Sequence, residues 1–398
     1  MTAYPEQIST RSGVAQAVLV TAFGVLPGFM VGALSVQLSE ELELSPRDIG
    51  LATSAMFLTS GVLARVSGRI VQRLGARVGS AVAATTSAAS LFSISVATSL
   101  WLLIFGLVVG GLGNALSQPS ANLTLSSIVA GRRLGLALGV KQGAVPAATL
   151  LGALTVPLLA VTVGWRWAFA AASFTALTVA IVAIRNGRLL PSAPPTATPG
   201  LHPITHRTLV LLAIAGGLGV SATTALGVFF VDSSVGAGLE PWFAGAVFAV
   251  ISLGGLLIRI ALGWFVDAKQ HVDPLALIAG ALFAAVVGFA AMATGGMVGV
   301  IVGGACAFCL GWSWTGLSHY VVVRGRPQDA ARATGILQTG LSSGAAFGPI
   351  TFGHLVSTIS YRSAWIAAAA VSLVAVAVLV VAIRQQDTST EHSNPKED

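Results

Sequence analysis

Charged side chains are scarce in this sequence. Asp, Glu, Lys and Arg together make up 9% of the 398 residues, 55% are hydrophobic, and the mean hydropathy is +0.86. A soluble chain of this length needs far more polar surface, so this one belongs in a membrane. Cysteine is nearly absent: Cys306 and Cys309 are the only two, three apart in the apolar run CAFC. A zinc or redox pair would need further ligands or a polar loop, so they are read as packing residues. There is no Ser/His/Asp or metal constellation and no phosphate-binding glycine loop, which argues against an enzyme and against ATP-driven pumping; no cofactor is expected. The opening MTAYPEQISTRSG is polar and the apolar run after it is too long for a signal core, so no cleavable signal is expected.

Long apolar runs dominate what remains. Segments of roughly 20 apolar residues recur twelve times, at about 13–37, 49–67, 78–98, 100–129, 136–162, 167–184, 208–231, 242–265, 274–293, 296–322, 333–357 and 363–383. Backbone groups in hydrocarbon must pair within their own segment, so runs of this length are helices; barrel strands would be shorter and would alternate in polarity. Residues 185–207, RNGRLLPSAPPTATPGLHPITHR, are rich in Pro, Ser and Thr and read as a flexible linker between two halves of six spans. The expected organisation is a bundle over 1–185, a linker over 186–207, a second bundle over 208–384 and a short disordered tail over 385–398.

The excess of basic charge, +7 with a pI near 10.2, raises the question of nucleic acid. Its distribution answers it. With the N-terminus inside, fifteen basic residues fall on inner tails and loops, among them Arg69, Arg73, Arg77, Arg132, Arg133 and Arg326, and three on outer loops, Arg47, Arg166 and Arg362. This bias places both termini in the cytoplasm and leaves no continuous basic face for DNA or RNA. Glu40, Glu41, Glu43, Asp48, Asp232 and Glu240 collect on the outer side.

The halves also repeat. GRIVQ at 68–72 matches GWFVD at 263–267 with an offset of 195, while GVKQ at 139–142 matches GILQ at 335–338, and WRWAF at 165–169 matches YRSAW at 361–365, both with an offset of 196. Three weak matches in the same order and at nearly the same offset indicate a duplicated architecture.

These features together resemble the major facilitator superfamily over the whole chain. The family carries a G-x-L-a-D-R-x-G-R-K pattern between spans 2 and 3 and a weaker copy between spans 8 and 9. Here GRIVQRLGAR keeps Gly68, Arg73, Gly75 and Arg77, with Gln72 where the family prefers aspartate; GWFVDAK keeps Gly263 and Asp267. The resemblance implies an all-α fold of twelve transmembrane helices in two pseudo-symmetric six-helix bundles. It further implies that the loop after span 8 lies beside the start of span 5, where Asp267 would hold that helix end in the outward-facing state, and that the loop after span 2 lies beside the start of span 11. A carboxylate facing a helix N-terminus is worth about 0.3–1 kcal/mol, somewhat more when partly buried. Gln72 lacks that charge, which puts the first-half latch in doubt. Gly68, Gln72, Arg73 and Gly75, with Arg259, Gly263 and Asp267, are the candidate gating residues.

No Asp or Glu falls inside the twelve runs, yet three cations do: Arg65, Lys141 and Arg259. Arg65 and Arg259 precede the loop glycines closely and are read as snorkelling or pairing with loop groups, Arg259 with Asp267. Lys141 differs. A charge at a span centre costs about 2.5–3.5 kcal/mol on insertion scales, and Leu337 replaces Lys141 in the second half although Gln142 recurs as Gln338. A structural duty would show in both copies, whereas a ligand needs only one. Snorkelling is the bland alternative; the reading adopted is that Lys141 faces the central cleft and attracts an anion. Asn114, Gln118 and Asn122, at i, i+4 and i+8 of span 4, share a face that serves either the cleft or helix–helix contact. Trp312 and Trp314 point about 200° apart, and Trp312 is placed in the cleft. His319, Tyr320 and His354 are read as interface residues, and Arg166 and Arg362 as partners of helix C-termini. Gly and Pro in spans 1 and 5, such as Pro27 and Pro146, fit helices that bend during alternating access.

The functional expectation is a monomeric secondary transporter of the cytoplasmic membrane that moves a small organic anion by rocking one bundle against the other. An exporter of neutral or amphipathic compounds is the alternative within transport, and a non-transporting sensor the alternative outside it.

Overall fold

A computed structural model describes residues 10–126, 134–185, 204–269 and 272–393. Residues 186–203 of the expected linker lie outside it, as do Arg132, Arg133, Arg188 and Lys396. The described residues are helical, with no strand. In chain order the helices are α1 (Thr10–Ala33), α2 (Ser35–Leu42), α3 (Pro46–Ser95), α4 (Leu100–Ser126), α5 (Leu134–Gln142), α6 (Ala144–Thr155) and α7 (Trp165–Arg185), then α8 (His206–Gly236), α9 (Pro241–Ala268), α10 (Pro274–Ala293), α11 (Gly296–Ala305), α12 (Thr315–Gly325), α13 (Ala330–Thr358) and α14 (Tyr361–Ser393). Two π-helical segments, Val156–Ala160 and Cys306–Leu310, follow α6 and α11.

Helix starts follow local chemistry. Ser45 accepts from the Asp48 amide at 3.3 Å, the Asp48 carboxylate accepts from the Ser45 amide at 3.0 Å, and Pro46 opens α3 in this capping box. Asp273 caps α10 through the amides of Leu275 and Ala276, again just ahead of a proline. Among the described residues ten helices, or helix pairs running on through a break, are long and apolar enough to cross a membrane, where the sequence reading expects twelve. Two places account for the difference. α3 runs for 50 residues through Gly75, which takes φ 79° and ψ 164°, a conformation open to glycine. A Cβ on Gly79 would sit 3.1 Å from Val71, eight residues back, so the chain doubles over at Gly75. α13, rich in Gly, Ser and Thr, is not among the ten. α14 runs on to Ser393, so 385–393 are helix where a disordered tail was expected; nothing in RQQDTSTEHS interrupts a helix before Pro395.

The arginine-rich and acid-bearing ends of the bundle differ. A single apolar core joins both halves toward the acid-bearing end, with Phe29 and Phe57 from the first half against Phe229, Phe308 and Phe352 from the second. Toward the arginine-rich end it divides. One cluster there, around Leu209, Leu282, Trp314 and Leu337, belongs to the second half with Leu134 and Leu138 at its margin; a small one, Ala17, Ala121 and Leu125, belongs to the first. Helices α3 and α13 show the same divergence. They are in contact where Gly50 meets Pro349, Gly353 meets Pro46, the Ile350 amide donates to Ser54 Oγ at 3.0 Å and the Arg47 amide donates to Ser357 Oγ at 3.0 Å. By Gly68 and Gly335 neither helix has any atom within 4 Å of where a Cβ would stand.

Candidate functional site

The site begins with a helix break. Pro146 has no N–H to give the carbonyl of Gln142 four residues earlier, so α5 stops at Gln142 and α6 resumes at Ala144. The freed Gln142 oxygen accepts from Arg259 Nη1 at 2.7 Å. A second break follows the π-helical Cys306–Leu310, and there the Trp312 carbonyl accepts from Arg259 Nε at 3.2 Å and Nη2 at 2.7 Å. The guanidinium also lies 5.2 Å from the centroid of the Trp312 ring. Arg259 is 2% exposed. The expectation that it snorkels or pairs with Asp267 is therefore corrected: two carbonyls without helical partners, which a planar fork of donors can satisfy together, draw it inward.

Asp267 instead serves α5. Its Oδ1 accepts from the Gly135 amide at 2.9 Å and its Oδ2 from the Leu136 amide at 2.8 Å, filling two of the first-turn N–H groups that a helix leaves unpaired. The approach depends on small residues: a Cβ on Gly135 would stand 2.7 Å from the Gly263 oxygen, and one on Gly139 2.6 Å from the Arg259 oxygen. In the first-half copy Gln72 and Arg73 are exposed and make no hydrogen bond among the described residues, and Gly68 faces open space. The Asp267 latch is formed while the acid-bearing end is shut, so it does not require that end to be open.

Lys141 lies one residue before the break. It is 2% exposed and has neither a hydrogen bond nor an ion pair among the described residues. Beside it, Gln142 Nε2 lies 3.1 Å from Nδ1 of His319, and that nitrogen is 2.8 Å from the Thr315 oxygen of its own helix. Lys141 and Gln338 are the other polar side chains acting on the ring. Gln338, half-buried, also donates to Ser342 Oγ at 3.2 Å. Of the two glutamines matched by the repeat, Gln142 makes the contact with the imidazole. His319, read from sequence as an interface residue, is 5% exposed. The signal lay in its spacing: it stands seven residues after Trp312, two turns on and near the same face.

Trp312 packs with its ring edge-on to Phe29 at 5.9 Å and to Phe308 at 5.2 Å. Trp314 turns instead toward Gly216 and Gly219 of α8. The span-4 stripe does not act as a unit. Asn114 is buried and donates to Ser60 Oγ of α3 at 3.0 Å, Gln118 is half-buried and Asn122 is exposed. Asn114 is thus held in a helix–helix contact, although its Oδ1 has no partner among the described residues. No group of three metal-ligating side chains occurs among the described residues.

At the acid-bearing end each half carries a clamp that sequence reading missed. Glu41 accepts from Trp165 Nε1 at 2.6 Å and pairs with Arg166 at 2.7 Å. These donors, Arg166 first, hold its carboxyl below the usual carboxylate range. Arg166 also donates to the carbonyls of Ala97 and Ser95, so the helix end it serves is that of α3 and not that of span 5. In the second half Tyr361 donates to Asp232, and Trp365 Nε1 to Ser233 Oγ at 3.0 Å.

A sequence profile described as Major Facilitator Superfamily matches residues 17–328 and 298–398. An uncharacterized MFS-type transporter of Mycobacterium tuberculosis, Rv2994, is 27% identical over 346 residues, covering 82% of this chain and 73% of that protein. A second from that organism, Rv1250, is 26% identical over 253 residues, 63% of this chain and 40% of its own length. Among solved structures, a bacterial homolog of the human lysosomal transporter Spinster, in an inward-facing and occupied conformation, superposes with a TM-score of 0.68 at 14% identity, covering 93% of this chain and 96% of that one. That likeness is one of fold.

Proposed function

Because the chain belongs to the major facilitator superfamily, a family of transporters and not of enzymes, we propose that it is a secondary transporter of a small organic anion, a carboxylate, working as a monomer in the plasma membrane. In this reading the doubling at Gly75 and the addition of α13 bring the crossings to twelve, in bundles 1–185 and 208–384. The arginine-rich end is cytoplasmic.

The observation that carries the substrate class is the buried ammonium of Lys141, without a partner among the described residues. An unpaired charge in a membrane interior is costly, and no carboxylate among the described residues pairs with it. An anion arriving as cargo does so, and the adjacent Gln142, whose side chain lies against His319, supplies a further polar group. Alternating access then loads and unloads the anion as the halves rock about their shared apolar core, with Arg259 and the Asp267 latch keeping α5 aligned with the second half.

The test is uptake into proteoliposomes. Lys141→Ala is expected to abolish carboxylate uptake while the purified variant stays monodisperse and folded. If Lys141→Ala transports carboxylates as the parent does, the anion reading is wrong. Export of neutral compounds past the rings of Phe29, Phe308 and Trp312 then takes its place.

A further inference from the structure

We propose that His319 is the second ligand of the anion and that it takes up a proton together with it, so that each carboxylate crosses with one H⁺. This rests on the anion reading of Lys141.

The geometry sets the protonation state of the empty site. Nδ1 of His319 has two neighbours that make opposite demands: the Thr315 carbonyl at 2.8 Å needs a hydrogen on it, and an amide N–H from Gln142 at 3.1 Å needs a lone pair. The carbonyl cannot change its nature, while the Gln142 amide can turn and present its oxygen. Nδ1 therefore carries the hydrogen, and Nε2 is left bare. Among the described residues no carboxylate acts on the ring: Lys141 of α5 is the charged group that does, with Gln338 of α13 a further polar side chain near it. Arg259 of α9 is committed to the carbonyls of Gln142 and Trp312. On α12 itself, Arg324 stacks over Tyr320 at 5.3 Å, with Asp267 acting on Tyr320 and not on His319. α10 contributes no charge, and those of α8 lie in its terminal turns.

A proton on Nε2 of the empty site would make an imidazolium within reach of the Lys141 charge, an unfavourable pair of like charges in a poorly solvated place. A carboxylate between the two reverses the sign of both interactions. It accepts from the ammonium and from Nε2–H, and each additional donor strengthens its hold. Proton and anion thus favour one another, and by linkage the factor is the same in either direction. Charge balances: the empty site carries one positive charge, on Lys141, and the site loaded with a monocarboxylate and a proton carries the same. The proton comes from water on the loading side, rests on Nε2, and leaves to water with the anion on the other side. Turnover moves no net charge, and no membrane carboxylate is needed to carry the proton.

Calorimetric titration of the purified full chain with acetate, lactate and benzoate, each in two buffers of different ionisation enthalpy, reads the proton count directly. Wild type is expected to take up about one proton per anion bound, its apparent affinity rising up to about tenfold for each unit by which the pH falls. His319→Gln, and as a second form His319→Asn, are expected to bind weakly with no uptake and a flat pH profile. Anion binding by the wild type without proton uptake, or uptake that persists in His319→Gln, overturns the inference and leaves the anion reading intact. Unchanged binding by Lys141→Gln, or no binding of any of the three anions to the wild type, removes the anion reading and this inference with it.

Discussion

Replacing Asp267 by asparagine removes one charge at a place where its effect can be worked out. The carboxylate receives two backbone N–H groups, from Gly135 at 2.9 Å and Leu136 at 2.8 Å. Asparagine keeps one acceptor and turns an NH₂ toward the other amide. A hydrogen bond to a charged group contributes about 1.5–3 kcal/mol and a neutral one about 0.5–1.5, and because Asp267 is only half-buried the lower ends apply. Losing one bond and weakening the other comes to about 2.5 kcal/mol, or roughly a sixtyfold change in the ratio of latched to unlatched α5. The latch joins the two halves, so the change should show in distance rather than in helix content. Spin labels at Ala137 and Lys269 are expected to give one short distance in the parent and an added longer component in Asp267→Asn. The converse substitution, Gln72→Asp, supplies the missing charge to the first-half copy and is expected to draw α3 toward the start of α13, shortening the distance between labels at Arg69 and Thr334. If Asp267→Asn gives the distance distribution and the uptake rate of the parent, the carboxylate is not what holds α5, and the reasoning fails.

Arg259→Lys puts a single ammonium where a fork serves two carbonyls; one of them is left buried without a donor at about 1–3 kcal/mol, and the detergent-solubilised variant should melt at a lower temperature than the parent. Pro146→Ala returns an N–H to the Gln142 carbonyl, which then competes with Arg259; a straighter span 5 and slower uptake are expected, measured against unchanged expression. Glu41 has its carboxyl held below the ordinary 4.5 by Arg166 and Trp165, so its clamp is fully present above the unfolded value and is lost as pH falls through the lower folded one. The pair is largely solvent-exposed and contributes less than about 1 kcal/mol; Glu41→Gln should therefore lower the melting temperature slightly at pH 7 and not at all at pH 3.

The positions of the spans were legible because each is a long apolar run, and the latch because Asp267 stands in a motif with its glycine. What escaped was depth and direction. His319 was assigned to the membrane interface on its distance from the end of a run, but span 10 is not one regular helix: a π-helical segment and a turn before Thr315 shift everything after them. Arg259 pointed the wrong way because its partners are carbonyls, which carry no side-chain signature; they are free only because Pro146 and the break near Trp312 interrupt two other helices. α13 falls below the apolarity of a lipid-facing span because Gly340, Gly344, Gly348 and Gly353 stand where other helices approach its backbone and larger apolar side chains have no room. Single-helix patterns fix where a segment crosses and not what it meets there.

The aromatic seam that unites the halves at one end also sets the mechanical terms of turnover. For that end to open, Phe29, Phe229, Phe308 and Phe352 must part and meet either water or the cargo, whereas at the opposite end the halves are joined by the Asp267 hydrogen bonds and close glycine contacts rather than by aromatic rings. Wetting such rings raises the heat capacity and becomes less unfavourable on cooling. Cooling is therefore the condition expected to loosen the aromatic end first.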